Sequence, residues 1–156
     1  MSHVKRAREV FDIEVAAVKA VRSRLTKSFD QAVKLIVAAL AKRQKIVVLG
    51  VGKSGNIGRK IAATFTSTGS PAVLLDTVDA MHGDLGILND GDVLLALSYS
   101  GETDELINLL PAIRRFAVQI VAVTAAPRST LGKHAEDDDF LSLGQGGDDQ
   151  FHRLIE

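Results

Sequence analysis

Apolar residues at Val4, Ala7, Phe11, Val15, Val18, Val21 and Leu25 recur every three or four positions, with charges between them. That spacing predicts an amphipathic helix over about 4–25. A second helix is predicted from about Ser28, an N-cap by residue type, to Lys42. At Lys45 the pattern changes to short apolar runs: Lys45–Leu49, Ala72–Leu75, Asp92–Leu97, Val118–Val123 and Phe140–Leu143. Most are continuous and rich in Val, Ile and Leu, as in strands buried on both faces. Helical stretches separate them at Asn56–Thr68, Thr103–Phe116 and Ser129–Ala135, with turns at Gly69–Ser70–Pro71 and Asn89–Asp90–Gly91. Alternating strands and helices predict an α/β fold, a parallel sheet with helices on both faces. No repeat and no linker divides the chain, so residues 1–156 are expected to form one domain: helices over about 4–42, an α/β core over about 45–143, and a tail over 144–156. That tail, rich in Gly, Gln and Asp, has a flexible composition.

Composition narrows the function classes. The 156 residues are 46% hydrophobic and 24% charged, the balance of a globular protein with a sizeable core. Nineteen Lys and Arg equal nineteen Asp and Glu, so there is no basic excess for nucleic acid. With no Trp and one Tyr, base-stacking platforms are also unexpected. The absence of Cys excludes disulfides and thiolate metal sites. His3, His134 and His152 have no metal-ligand spacing, and no metal or cofactor is expected. The charged start, Met1–Ser2–His3–Val4–Lys5–Arg6, does not read as a signal peptide. No apolar run approaches the roughly 18 residues of a membrane span. The expected location is the cytoplasm, with no membrane or nucleic-acid partner.

Two loops carry the candidate chemistry. Leu49–Gly50–Val51–Gly52–Lys53–Ser54–Gly55 reads as a strand end, a glycine turn and a helix start, an arrangement that aims N–H groups at an anion. Ser98–Tyr99–Ser100–Gly101–Glu102–Thr103 follows another buried strand and opens another helix. Gly50-x-Gly52-x-x-Gly55 also fits a dinucleotide fingerprint, with Asp76 as its ribose-binding acid. Against that, Lys53 puts a charge where a dinucleotide turn is close-packed, the serine loop has no role in the fingerprint, and little chain remains for a substrate domain. A Walker A loop fails because Val47 stands where its first Gly belongs. A mere tight turn explains the glycines but not Lys53 or Ser54, and a mere N-cap explains one hydroxyl of the second loop rather than three.

Gly52–Lys53–Ser54–Gly55, Met81–His82–Gly83–Asp84–Leu85–Gly86 and Ser98–Tyr99–Ser100–Gly101–Glu102–Thr103 closely resemble the sugar isomerase (SIS) domain. Within it they look most like the D-arabinose 5-phosphate isomerases that feed 3-deoxy-manno-octulosonate, and so lipopolysaccharide, synthesis. The resemblance runs over about 8–143 and implies a three-layer α/β/α fold. Its sheet would be five-stranded and parallel, of flavodoxin-like order 2-1-3-4-5. Both loops would then leave neighbouring strands at the switch point.

The implied activity is aldose–ketose isomerisation of D-arabinose 5-phosphate and D-ribulose 5-phosphate through an enediol. It needs a base, an acid and oxyanion stabilisation. Lys53, His82 and Glu105 correspond to active-site residues of the family: Lys53 as positive charge, Glu105 as proton carrier, His82 for ring opening or proton shuttling. Ser98, Ser100 and Thr103 would supply hydroxyls to the phosphate, Gly101 close backbone approach, and Gly52 and Ser54 the facing loop. Glu102 is expected to turn away from the phosphate or to meet sugar hydroxyls. The isomerases continue with a helical region bearing a further Glu and His, which Gly144–Glu156 does not resemble, so feeble turnover is expected of this polypeptide. SIS domains commonly pair, and the apolar stripe of the first helix agrees with a homodimer or homotetramer. A non-catalytic sugar-phosphate-binding module and a dinucleotide-binding domain remain the alternatives.

Overall fold

The computed structural model describes residues 2–136. Two helices come first, α1 (His3–Ser23) and α2 (Lys27–Ala41). The α/β part follows as β1 (Ile46–Gly50), α3 (Lys53–Ser67), β2 (Ala72–Leu75), α4 (Thr77–Met81), a 3-10 turn (Asp84–Ile87), β3 (Val93–Leu97), α5 (Asp104–Ile107), α6 (Leu110–Ile113), β4 (Gln119–Val123) and α7 (Thr130–Glu136). All strand pairs are parallel and the sheet order is β2-β1-β3-β4. The described residues thus hold four strands of the expected five. The fifth, at Phe140–Leu143, lies outside them, as does the tail.

Strand alternation builds the layers. Val47, Leu49, Leu94, Ala96, Ile120 and Ala122 face one side, where Leu106 of α5, Leu109 just before α6, Leu110 and Ile113 of α6 and Leu131 of α7 meet them. Ile46, Val48, Val93, Leu95 and Val121 face the other, against Ala32, Leu35 and Ala39 of α2 and Ala62 of α3. β1 and β3 are fully or almost fully buried along their length, which explains why no polar alternation marks them in the sequence.

Three boundaries depart from expectation. α3 begins at Lys53 rather than Asn56, because the turn before it is very tight. Gly52 has φ 56 and ψ −120, a conformation open only to glycine. A Cβ on Gly55 would lie 2.7 Å from the Gly50 carbonyl oxygen. The single helix expected over Thr103–Phe116 is two four-residue helices. Pro111 causes the break: it has no N–H to offer Ile107, and its ring crowds that carbonyl. Ser28 is not the cap of α2; Thr26 occupies that place, and the two hydroxyls bond each other at 2.8 Å.

α1 contains no buried residue, and Phe11 and Val18 are 68% and 69% exposed. Opposite the loops, β1 and β3 are joined where they begin. Asp92 is fully buried and accepts from the Lys45 N–H, the Lys45 ammonium and the Asn89 N–H. A buried carboxylate with this many charge-assisted partners leaves them stranded when removed. Asp92→Ala is expected to destabilise the fold by about 3 kcal/mol or more. Urea unfolding measures it, and a loss under about 1 kcal/mol would show the join to be dispensable.

Candidate active site at the switch point

Gly50, the last residue of β1, is paired in register with Leu97, the last of β3. Adjacent strands lie about 4.8 Å apart, so the two loops start side by side. From there the chain diverges: α3 packs on the α2 side of the sheet and α5 on the other. The crevice between diverging loops is where open α/β sheets bind ligands. β1 lies between β2 and β3, the flavodoxin-like arrangement rather than the dinucleotide-binding one. Asp76 is also engaged, its carboxylate accepting from the Val78 N–H at 2.9 Å to cap α4. The ribose-binding acid of the dinucleotide alternative is therefore used for structure.

In the first loop, Gly55 N–H and Asn56 N–H close the first turn onto Val51 and Gly52 carbonyls. The N–H groups of Lys53 and Ser54 precede them and head a 15-residue helix with no acidic residue in its first turn. Lys53 is exposed at the first helical position. A cation there opposes the helix dipole, so the fold concentrates positive potential at this point. An anion would relieve it.

The second loop divides its hydroxyls between structure and surface. Ser98 is buried; its Oγ accepts from the Gly101 N–H at 3.0 Å and pairs with Thr103 Oγ1 at 2.9 Å. Ser100 is exposed and its Oγ accepts from the Glu102 N–H. Among the described residues, the N–H groups of Ser100 and Thr103 donate to no other backbone group. Gly101 has φ +66, and a Cβ on it would fall 1.9 Å from Ser129 Oγ. The space its missing side chain leaves is filled by Ser129, where the motif assigned it to the ligand. The helix behind this loop is α5, one turn long, so its dipole adds far less than that of α3.

Glu102 is turned away from β1. Its Oε1 accepts from the Thr130 N–H at 2.7 Å, and Thr130 follows β4, on the far side of β3. That hydrogen bond, with help from the Thr130 side chain and Lys133, holds the carboxyl below its ordinary titration range.

Glu105 is the second residue of α5 and is exposed. His82 is the exposed C-cap residue of α4, followed by Gly83 at φ 125. α4 packs against α5 through the core holding Ala80, Leu88 and Leu106, so the segments bearing His82 and Glu105 are neighbours. Among the described residues, Lys53, His82 and Glu105 form no ion pair with one another. Each stands at or near the end of its own element, Lys53 at the start of α3, His82 at the end of α4 and Glu105 near the start of α5. At the end of β2, a cleft of about 580 Å³ is lined by Arg59, Asp76, Asp79, Asp84 and the 83–87 turn. No three His, Asp or Glu among the described residues are grouped to hold a metal ion.

The segment that braces the serine loop could not be found by motif or periodicity. Thr124 Oγ1 and the Ala125 N–H both donate to the Tyr99 carbonyl, and the Leu131 N–H donates to the Gly101 carbonyl. The only local signal is a hydroxyl at each end of the β4–α7 connection, Thr124 and Ser129.

Known proteins resemble this chain in sequence and in fold. The arabinose 5-phosphate isomerase KdsD of Pseudomonas aeruginosa is 39% identical over 145 residues, covering 93% of this chain and 44% of the relative. The enzyme of that name from Francisella tularensis is 37% identical over 134 residues, covering 86% and 41%. This chain therefore spans less than half the length of either relative. Among solved structures, an Escherichia coli CFT073 protein in complex with arabinose 5-phosphate is 32% identical, with a TM-score of 0.74, over 92% of this chain and 74% of that one. Residues 39–140 match the SIS domain. Because that match spans all four strands and both loops of the crevice, the chain belongs to the SIS domain family.

Proposed function

We propose that this chain is the catalytic domain of a sugar-phosphate aldose–ketose isomerase interconverting D-arabinose 5-phosphate and D-ribulose 5-phosphate. The observation that carries the reading is the in-register exit of the Lys53 loop and the serine loop from the neighbouring strands β1 and β3. The names of the isomerase relatives and the arabinose 5-phosphate complex of the E. coli protein support the choice of substrate. In this reading the enzyme is cytoplasmic and supplies a lipopolysaccharide sugar.

In this reading the phosphate sits on the Ser100 and Thr103 hydroxyls and main-chain N–H groups of the serine loop, whose shape Ser98 and Gly101 set. Gly52 and Ser54 offer backbone and hydroxyl donors from the opposite loop. Glu105 carries the proton between C1 and C2. Lys53, aided by the α3 N-terminus, stabilises the oxygen that becomes anionic in the enediolate. His82 opens the sugar ring or returns a proton to oxygen.

The unburied stripe of α1 is assigned to self-association, in a homodimer or homotetramer. Its Val4, Phe11 and Val18 repeat at intervals of seven and all lie exposed, a stripe that a monomer would leave in water. Light scattering at micromolar concentration should give a multiple of the 16.7 kDa chain mass, and a monomer would overturn the assignment.

Ser100→Ala with Thr103→Ala should weaken sugar-phosphate binding by about 1–3 kcal/mol, the range for hydrogen bonds to a charged group. Calorimetry with D-arabinose 5-phosphate tests it, and unchanged affinity removes the phosphate assignment. Lys53→Ala and Glu105→Gln should each lower turnover about 10²–10⁴-fold with binding largely kept. The measurement is a coupled assay on D-ribulose 5-phosphate. Activity that survives both substitutions together would remove the proposed proton-transfer machinery.

A further inference from the structure

Glu102 is an anomaly for an anion site: a carboxylate in the middle of the loop meant to hold a phosphate. Its neighbours in the loop are fixed by main-chain or buried contacts. The Tyr99 carbonyl accepts from Thr124 Oγ1 at 3.1 Å and from the Ala125 N–H at 3.0 Å. The Gly101 carbonyl accepts from the Leu131 N–H at 3.0 Å, and the Gly101 Cα abuts Ser129. Glu102 adds a tie made by its exposed side chain, to the Thr130 N–H at 2.7 Å. Thr130 is the first residue of α7, so its N–H is a donor that no helical carbonyl can use. The main-chain N–H of Glu102, in turn, donates to Ser100 Oγ. One residue thereby links a hydroxyl of the loop to the start of α7.

The geometry points to Glu102 as a positioning residue of the serine loop. Its carboxylate is parked on the first N–H of α7, which keeps a negative charge out of the anion site and orients Ser100. The inference rests on reading Ser98–Thr103 as the phosphate loop. The same hydrogen bond holds the carboxyl below its ordinary titration range, as expected of a carboxylate held by a backbone donor. Two other roles for Glu102 make different demands. A proton carrier needs an ionisable carboxyl, and a group hydrogen-bonding sugar hydroxyls needs freedom from Thr130.

The test uses Glu102→Ala, Glu102→Gln and Thr130→Pro, with binding of D-arabinose 5-phosphate by calorimetry and steady-state kinetics on the same substrate. Proline is well tolerated at a first helical position and lacks the N–H, so Thr130→Pro removes the tie without touching the loop. It also stands in should Glu102→Ala fail to fold. Glu102→Ala and Thr130→Pro should each weaken binding about fivefold or more, with kcat at saturation changed by no more than about twofold. Their combination should be no worse than either alone. Glu102→Gln keeps an acceptor oxygen and should bind within about twofold of the parent. Wild-type or tighter binding by Glu102→Ala would overturn the inference. So would a collapse of kcat in Glu102→Gln at unchanged affinity, which would make the carboxyl a proton carrier. Ser100→Ala with Thr103→Ala separates the two levels. If that double variant binds normally, the phosphate-loop reading itself fails; if it binds weakly while Glu102→Ala binds normally, only the role of Glu102 falls.

Discussion

The lateral pairing of β1 with β3 is the constraint on which the rest depends. At its start, buried Asp92 gathers the Lys45 ammonium and two backbone N–H groups, which fixes one strand against the other. At its end that same register brings Gly50 level with Leu97. A slip of one residue would turn both core faces inside out. It would also displace one loop of the crevice relative to the other. The charged pair and the candidate site are thus opposite ends of one alignment.

The electrostatics of the crevice follow from what the fold withholds as much as from what it supplies. α3 offers a long helix with a lysine and no acid at its head. The one carboxylate within the serine loop is drawn across β3 toward α7. Ser98 and Gly101 look like ligand groups in the sequence, yet both serve the shape of the loop, one hydrogen-bonding inside it and the other making room for Ser129. Ser100 and Lys53 are exposed, whereas the Thr103 hydroxyl is paired with Ser98.

Most of the architecture is legible in the sequence because burial leaves periodic marks. The run Ala72–Leu75 reads as a strand and is one, residue for residue. The order of β1, β2, β3 and β4 agrees with the SIS resemblance, and its fifth strand lies outside the described residues. What escapes has no periodic trace. The start of α3 depends on a backbone conformation at Gly52 that hydropathy does not encode. The break at Pro111 is visible in principle, but the apolar spacing on both sides of it speaks for one helix. The brace of the serine loop joins residues 28 positions apart, Glu102 and Thr130. Nothing local in either stretch announces the other. The residues named for the chemistry stand out by motif, and among the described residues they form no ion pair with one another.

Pro111 has a mechanical result for the proposed proton carrier. It leaves Glu105 on a helix of a single turn, and such a turn has no cooperativity of its own. What keeps that turn in place is Leu106, the very next residue, which is fully buried in the core shared with α4 and α6. The orientation of the carboxylate is therefore inherited from hydrocarbon packing beneath it. Trimming that leucine would leave every charged group intact and still let the acid wander from its bearing.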